Sequence, residues 1–291
     1  MHRIGRGILV VVLALSAAAA QENRTDSPST PAEEFKALLK EHQTASSGGV
    51  LSDDERLAFV GRVYKHRNRL ALKFLELAEK HPREPIAVDA LLQAVWQVNT
   101  TPWPVELVGE DSARARALAL LERDHIRSDK LGPACERLSF GFAKEYEIFL
   151  RAVLEKNPHK DVQAQACLGL ADFLTNRLQR LELINDEPRL AKEFEDLFGR
   201  EYLEELRQEG PLKAGREAEA LFELAAEKHG GVSLPGGGTV GEKAKAELFE
   251  IRRLSAGREG PDIEGQDQDG NAFKLSDYRG KVVLLDFWHR F

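Results

Sequence analysis

From residue 53 to about residue 258, apolar side chains recur at intervals of three and four, the period of amphipathic helices. Ser52-Asp53-Asp54-Glu55 places a capping residue and three acids at the positive end of a helix dipole, so a helix starts there and runs toward Arg69 or beyond it. The pattern then predicts helices over 70–81, 85–98, 112–125, 132–142, 149–157 and 161–174, and a long charged helix or pair of helices over 178–209. Ahead of these lies a linker, 21–52, rich in Ser, Thr, Pro and Glu. It contains one short amphipathic stretch, 33–41, with Phe35, Leu38 and Leu39 on one face.

One ending recurs. "LELAEKHPREP" and "LRAVLEKNPHKD" align at Lys80 and Lys156, 76 residues apart, and "LFELAAEKHGG" carries its lysine at Lys228, 72 residues further on. Pro or Gly stops each of these helices, because the proline ring cannot donate an i to i−4 bond and glycine adopts the left-handed cap. Each unit reads as a helical hairpin, which cannot bury its apolar stripe alone. The expected fold is therefore mainly α, a stack of hairpins that loosely resembles a tetratricopeptide array, with uneven spacing. Such a stack offers a concave groove to a protein or peptide partner. The competing reading is an irregular bundle that supports the carboxyl-terminal segment.

From Gly260 the helical period gives way to short extended segments: 261–265, 267–270 and 273–275. Asp269-Gly270 between two of them signals a hairpin, since both central residues of a type I′ turn need positive φ. A polar turn, 276–281, leads into Val282-Val283-Leu284-Leu285-Asp286-Phe287-Trp288, a run with the character of a buried strand. The segment "GPDIEGQDQDGNAFKLSDYRGKVVLLDFW", residues 260–288, resembles the opening of TlpA/redoxin-type thioredoxin-fold proteins, including the alkyl hydroperoxide reductase and thiol-specific antioxidant group. The helical region also has the look of the long amino-terminal extensions some of these proteins carry. The resemblance implies an incomplete α/β thioredoxin-like segment behind the helices. It also implies thiol-disulfide exchange or peroxide reduction as the family's chemistry.

In that family the strand ending in Phe-Trp leads into a Trp-Cys-x-x-Cys turn at a helix N-terminus, where the first cysteine's pKa is lowered. Here Phe287-Trp288 is followed by His289-Arg290-Phe291. No catalytic, cofactor-binding or metal residue is carried over from the family, and no cofactor is implied. His289 has no thiol beside it to activate. The expectation is a truncated, frameshifted or incomplete member of the family, inactive as it stands, so enzymatic status stays open. The alternative is a helical binding protein with a dispensable tail.

The first twenty residues have the form of a signal peptide: Arg3 and Arg6, an apolar run from Ile8, then Ala18-Ala19-Ala20 before Gln21. The expected domains are thus 1–20 signal peptide, 21–52 linker, 53–258 helical region and 259–291 thioredoxin-like segment. Export to the periplasm or outside the cell is expected, with no membrane span after cleavage; a retained anchor is the competing reading. Cleavage removes two positive charges and moves the formal net charge from −7 to −9. An acidic chain gives no electrostatic footing for nucleic acid or anionic lipid.

The remaining chemical motifs are weak. Cys135 and Cys167, 32 positions apart, read as structural thiols or one structural disulfide. Residues 236–241 match G-x-G-x-x-G, but a helix and a Ser-Leu-Pro turn precede them where a dinucleotide fold needs a strand, so they read as a flexible linker or loop. The eight histidines show no metal-ligand spacing. The sequons at Asn23 and Asn99 are too short a signal to carry weight. Trp96 and Trp103, flanking a Thr-Pro-Trp-Pro loop, read as a plug at the end of a helix pair.

Overall fold

A computed structural model of the protein describes residues 30–45, 53–98, 112–255 and 258–286. The signal peptide, both sequons, Trp103 and the residues from Phe287 to Phe291 lie outside the described residues. The fold is mainly helical, with eleven α-helices and one two-stranded sheet among the described residues. The chain divides into two compact units, Met1–Asp124 and His125–Phe291.

In the first unit, α1 (Pro31–Ala45) opens on a reciprocal cap. Thr30 Oγ1 accepts from the Glu33 amide at 3.2 Å and Glu33 Oε2 accepts from the Thr30 amide at 3.1 Å, with Pro31 at the first helical position. The stretch expected at 33–41 is the middle of this helix. Phe35 meets Phe74 edge-on at 5.5 Å, and Glu41 pairs with Lys73 at 2.7 Å. The helices expected separately at 53–69 and 70–81 are one, α2 (Asp53–Lys80), because neither Gly nor Pro lies between Arg62 and Lys80 to interrupt the ladder. Pro82 and Pro85 end it, and α3 (Ile86–Val98) returns along it. Leu70, Phe74 and Leu77 of α2 are fully buried, as are Ala87, Ala90 and Ala94 of α3, at the spacing of facing helical stripes. Trp96 is half-buried on α3. α4 (Ala113–His125) completes the unit and ties Arg116 to Glu79 at 2.5 Å.

In the second unit, α5 (Gly132–Leu138) and α6 (Lys144–Lys156) precede α7 (Lys160–Asp186), the central helix. Its first half buries Val162, Ala164, Ala166, Cys167, Leu170, Ala171, Phe173 and Leu174; α5, α6, α10 and α11 all pack on it. The end expected at residue 174, where polar residues reappear, is not an end. That change marks only the helix's emergence from the core, and the helix continues to the residue pair before Pro188. The charged stretch beyond it is α8 (Pro188–Phe198) and α9 (Arg200–Glu209), broken at Gly199 and Gly210, both at positive φ. α10 (Pro211–His229) and α11 (Val240–Phe249) come next, the latter ending in a π-helical turn, Glu250–Leu254. The three recurrent endings at Lys80, Lys156 and Lys228 thus close α2, α6 and α10, and each of these packs on the helix after it.

The tail is a hairpin of β1 (Glu264–Gln266) and β2 (Ala272–Lys274), antiparallel, with Gly265 opposite Phe273. Its turn differs from the two-residue type I′ expected at Asp269-Gly270. The Gly270 amide donates to the Asp267 carbonyl at 3.0 Å, Asp267 Oδ1 accepts from the Asp269 and Asn271 amides, and Gly270 carries the left-handed conformation. A 3-10 turn, Leu275–Tyr278, comes after the hairpin. Residues 282–286 pair with no strand among the described residues, and Val282 and Leu284 are almost wholly exposed.

Candidate functional site

Both cysteines are free and buried, which settles the choice between structural thiols and a structural disulfide in favour of thiols. Burial pushes the Cys135 thiol up to about 12 and the Cys167 thiol up to about 11, the reverse of what a nucleophilic cysteine needs. Cys167 Sγ donates to the Leu221 carbonyl at 3.4 Å.

The glycine-rich segment is an ordered connection and not a flexible linker. Val232 to Gly241 folds back on itself: the Gly241 amide donates to the Gly230 carbonyl, Val240 to Val232 and Leu234 to Gly238, at 2.9 to 3.1 Å. Gly237 and Gly238 take positive φ at the tip. A Cβ on Gly241 would stand 2.8 Å from the Gly230 Cα, so the two backbones cross in van der Waals contact. Thr239 and Glu242 close a reciprocal cap on α11, and Val240 is fully buried. The Thr-x-x-Glu pattern was legible in the sequence; the run of glycines obscured it.

The tip of this turn overhangs a cleft of about 190 Å³ whose floor is Leu168, Gly169 and Asp172 of α7. Glu136 of α5, Gln165 of α7 and Lys243 of α11 complete its polar rim, and Leu234 and Gly236 close the remaining side. Gly169 sets the depth: a Cβ there would meet the Cys135 carbonyl oxygen at 2.6 Å, so only glycine lets α5 lie this close to α7. Lys243 Nζ stands 2.7 Å from Asp172 Oδ2. Burial pushes the Asp172 carboxyl up, Lys243 opposes this, and the charge of Glu136 adds to the rise. Burial likewise raises Glu247, one turn along α11 from Lys243, together with the charges of Asp172 and Glu250. The Gln165 Oε1 is buried and accepts no hydrogen bond. None of these residues stood out in the sequence, where single acids on charged helices carry no signal.

A second polar cluster lies at the far end of α7. Arg177, 3% exposed, donates to Glu147 and pairs with Glu209 at 3.5 Å, while Arg151 joins Glu147 to Glu217. The Arg177 guanidinium lies 5.3 Å from the Phe173 ring centroid. Burial pushes the Glu147 carboxyl up, and Arg177 and Arg151 beside it bring it below its ordinary value. Here every charge has a partner, and the cluster joins α6, α7, α9 and α10. Among the described residues no group of three His, Cys, Asp or Glu side chains could hold a metal ion, and no helix is long and apolar enough to cross a membrane.

No protein-family model, curated protein or solved structure matches the chain.

Proposed function

We propose that the chain is an exported member of the redoxin type of thioredoxin-like proteins, and that residues 260–286 are the opening segment of its redox domain. The observation that carries this reading is the order of elements in the tail. A short hairpin, a 3-10 turn and left-handed Gly280 lead into an extended run whose Val282, Val283, Leu284 and Leu285 side chains face water. Covering such side chains is worth roughly 1.5 to 3 kcal/mol each. A run of this composition belongs between partner strands and beneath helices, the place it takes at the start of a thioredoxin-like sheet. In this reading the thiolate chemistry depends on cysteines beyond Trp288. Cys135 and Cys167 are too deeply buried to supply it, and the chain as given is inactive in thiol-disulfide exchange and peroxide reduction. The test is to read the gene past the codon for Phe291 in all three frames. A Cys-x-x-Cys or redoxin continuation is expected; its absence from every frame overturns the proposal. Export is tested by fusing residues 1–25 to a reporter that is active only outside the cytoplasm.

A second reading, a tetratricopeptide-like module that binds a protein or peptide through its helices, has its own support. No hydrophobic residue after Leu248 is buried among the described residues, so the helical core closes without the tail. Residues 30–258, which keep α1 on α2, are then expected to unfold cooperatively at the Tm of the full chain, and loss of that transition would contradict an autonomous helical module.

A further inference from the structure

We propose that α1 is a strap that acid releases from α2: a proton on His42 sets its ring against the cations of the facing helix and frees α1 from Phe74. The device goes beyond both functional readings above and depends on neither.

The hold of α1 is narrow. Among its described residues only Leu38 is buried; Phe35 meets Phe74 edge-on at 5.5 Å, and the Glu41 carboxylate accepts from Lys73 Nζ at 2.7 and 3.1 Å. His42 comes one turn after Leu38 and Leu39, so it falls on the same face of α1 and is half-buried. His66 and Arg67 of α2 are close enough for their charge to act on it.

Three cations of α2 already crowd this contact. Arg67 acts on His42 itself, while Arg69, 3.9 Å away, and Lys73 share the one carboxylate, Glu41. Arg69 Nη2 also stands 3.1 Å from His66 Nδ1. A guanidinium can only donate, so that nitrogen accepts, as it does only while the His66 ring is neutral. α3, which also packs on α1, carries a single charged residue, Asp89, and it is not among the groups whose charge reaches His42. A proton on His42 therefore adds a fourth cation and no carboxylate.

The direction of the switch follows from linkage. Burial first, then Arg67 and His66, hold the His42 imidazole below its ordinary value. A ring lowered in this way binds its proton more readily once α1 has left α2, so the docked state loses ground as pH falls through the ordinary histidine range. The neighbouring ion pair does not titrate there, because the hydrogen bond from Lys73 holds the Glu41 carboxyl below its ordinary value. Phe74 is fully buried with α1 in place, and release removes its aromatic neighbour.

The experiment is amide hydrogen exchange of the full chain at about pH 7.5 and about pH 5.5, on either side of the ordinary histidine value, with each rate divided by its free-peptide rate so that only opening equilibria are compared. Opening of α1, read at the amides of residues 35–41, is expected to rise at least about threefold at the lower pH, while that of α3 stays constant. A parallel rise in α3 would mean that the whole unit loosens and would overturn the strap. His42→Gln and His42→Leu carry no ring to protonate, and in both the rise is expected to vanish; the leucine keeps an apolar side chain on α2 where glutamine seats α1 less well. Equal opening of α1 at the two pH values in the wild type, or a rise that survives in either variant, overturns the proposal.

Discussion

The α-carbon of Gly169 faces the carbonyl of Cys135 so closely that a methyl group on it would stand 2.6 Å from the oxygen. Both partners are backbone, in helices fixed by buried neighbours, so the strain cannot be relieved by a side-chain rotation. Gly169→Ala is expected to lower stability by about 1 to 3 kcal/mol, as overpacking does, by pushing α5 off α7. Gly215, in α10, is the matched control. A Cβ there meets only Leu178 Cδ1, at 3.9 Å, and Gly215→Ala should stabilise the chain by about 0.5 to 1 kcal/mol. Urea denaturation midpoints of the two variants check both signs.

Asn157, 1% exposed, ends α6 and holds the preceding loop. Its Nδ2 donates to the Ile126 and Ser128 carbonyls at 2.7 and 2.8 Å, and its Oδ1 accepts from the His159 amide at 2.9 Å. Asn157→Ala takes the side-chain partner from three backbone groups in a partly buried place. The expected loss is about 2 to 3 kcal/mol, read from the same denaturation midpoints.

The ion pair of Glu147 with Arg177 has a defined pH signature. Because the folded-state pKa of Glu147 is depressed, the pair stabilises the fold at and above the ordinary carboxylate range and loses that contribution as pH falls through the depressed value. Glu147→Gln is expected to flatten the acid limb of a stability-pH curve while the curve near neutrality drops by a constant amount. Arg177→Ala, which leaves Arg151 as the remaining partner of Glu147, should cost about 1 to 3 kcal/mol. An acid limb identical in wild type and Glu147→Gln would remove Glu147 as its source.

Cys135 and Cys167 are wholly buried, out of reach of a reagent in the folded chain, and burial pushes both thiols up. Reaction with an aromatic disulfide reagent should therefore proceed only at the rate of unfolding. A fast phase in native buffer would contradict the burial of these thiols.

The tail exposes four consecutive apolar residues on an unpaired extended segment, the form of edge that recruits other chains. The full chain is expected to scatter more light on concentration than a version ending at Arg258. Its amides from 282 to 286 should exchange at nearly the free-peptide rate. Strong uniform protection there in a monomer would mean that the segment has found cover within the chain, and the redoxin reading would lose its main support.

Helix existence was legible where Pro or Gly punctuates an apolar period, as at Pro82, Pro158 and Gly230. Boundaries were not legible where burial, and not chemistry, changes along one helix. Arg69 and Leu174 look like ends because polarity shifts there, yet nothing in either stretch stops the ladder, and α2 and α7 run through. The cleft was hidden for a different reason. Glu136, Gln165, Asp172 and Lys243 come from three elements, and their meeting depends on Gly169 and on the crossing of Gly230 with Gly241, close approaches that a linear pattern does not encode. The hairpin is legible in Asp269-Gly270, but its turn is set by the Asp267 carboxylate two residues earlier.

α8 has no fully buried residue and is attached at Gly199, whose positive φ meets no neighbouring atom. Its hold on the fold comes from the Phe194 and Phe198 rings, each 5.0 Å from Phe142, with Leu190 and Ala191 packed on the same cluster. Such a helix is expected to open as a separate foldon, peeling away and reseating while Tyr202, bonded to the Phe142 carbonyl at 2.9 Å, keeps α9 in place. A spin label at Glu193 should therefore report opening events far more frequent than global unfolding, and each such event would leave the Phe142 ring briefly uncovered, a transient aromatic face on an otherwise charged surface.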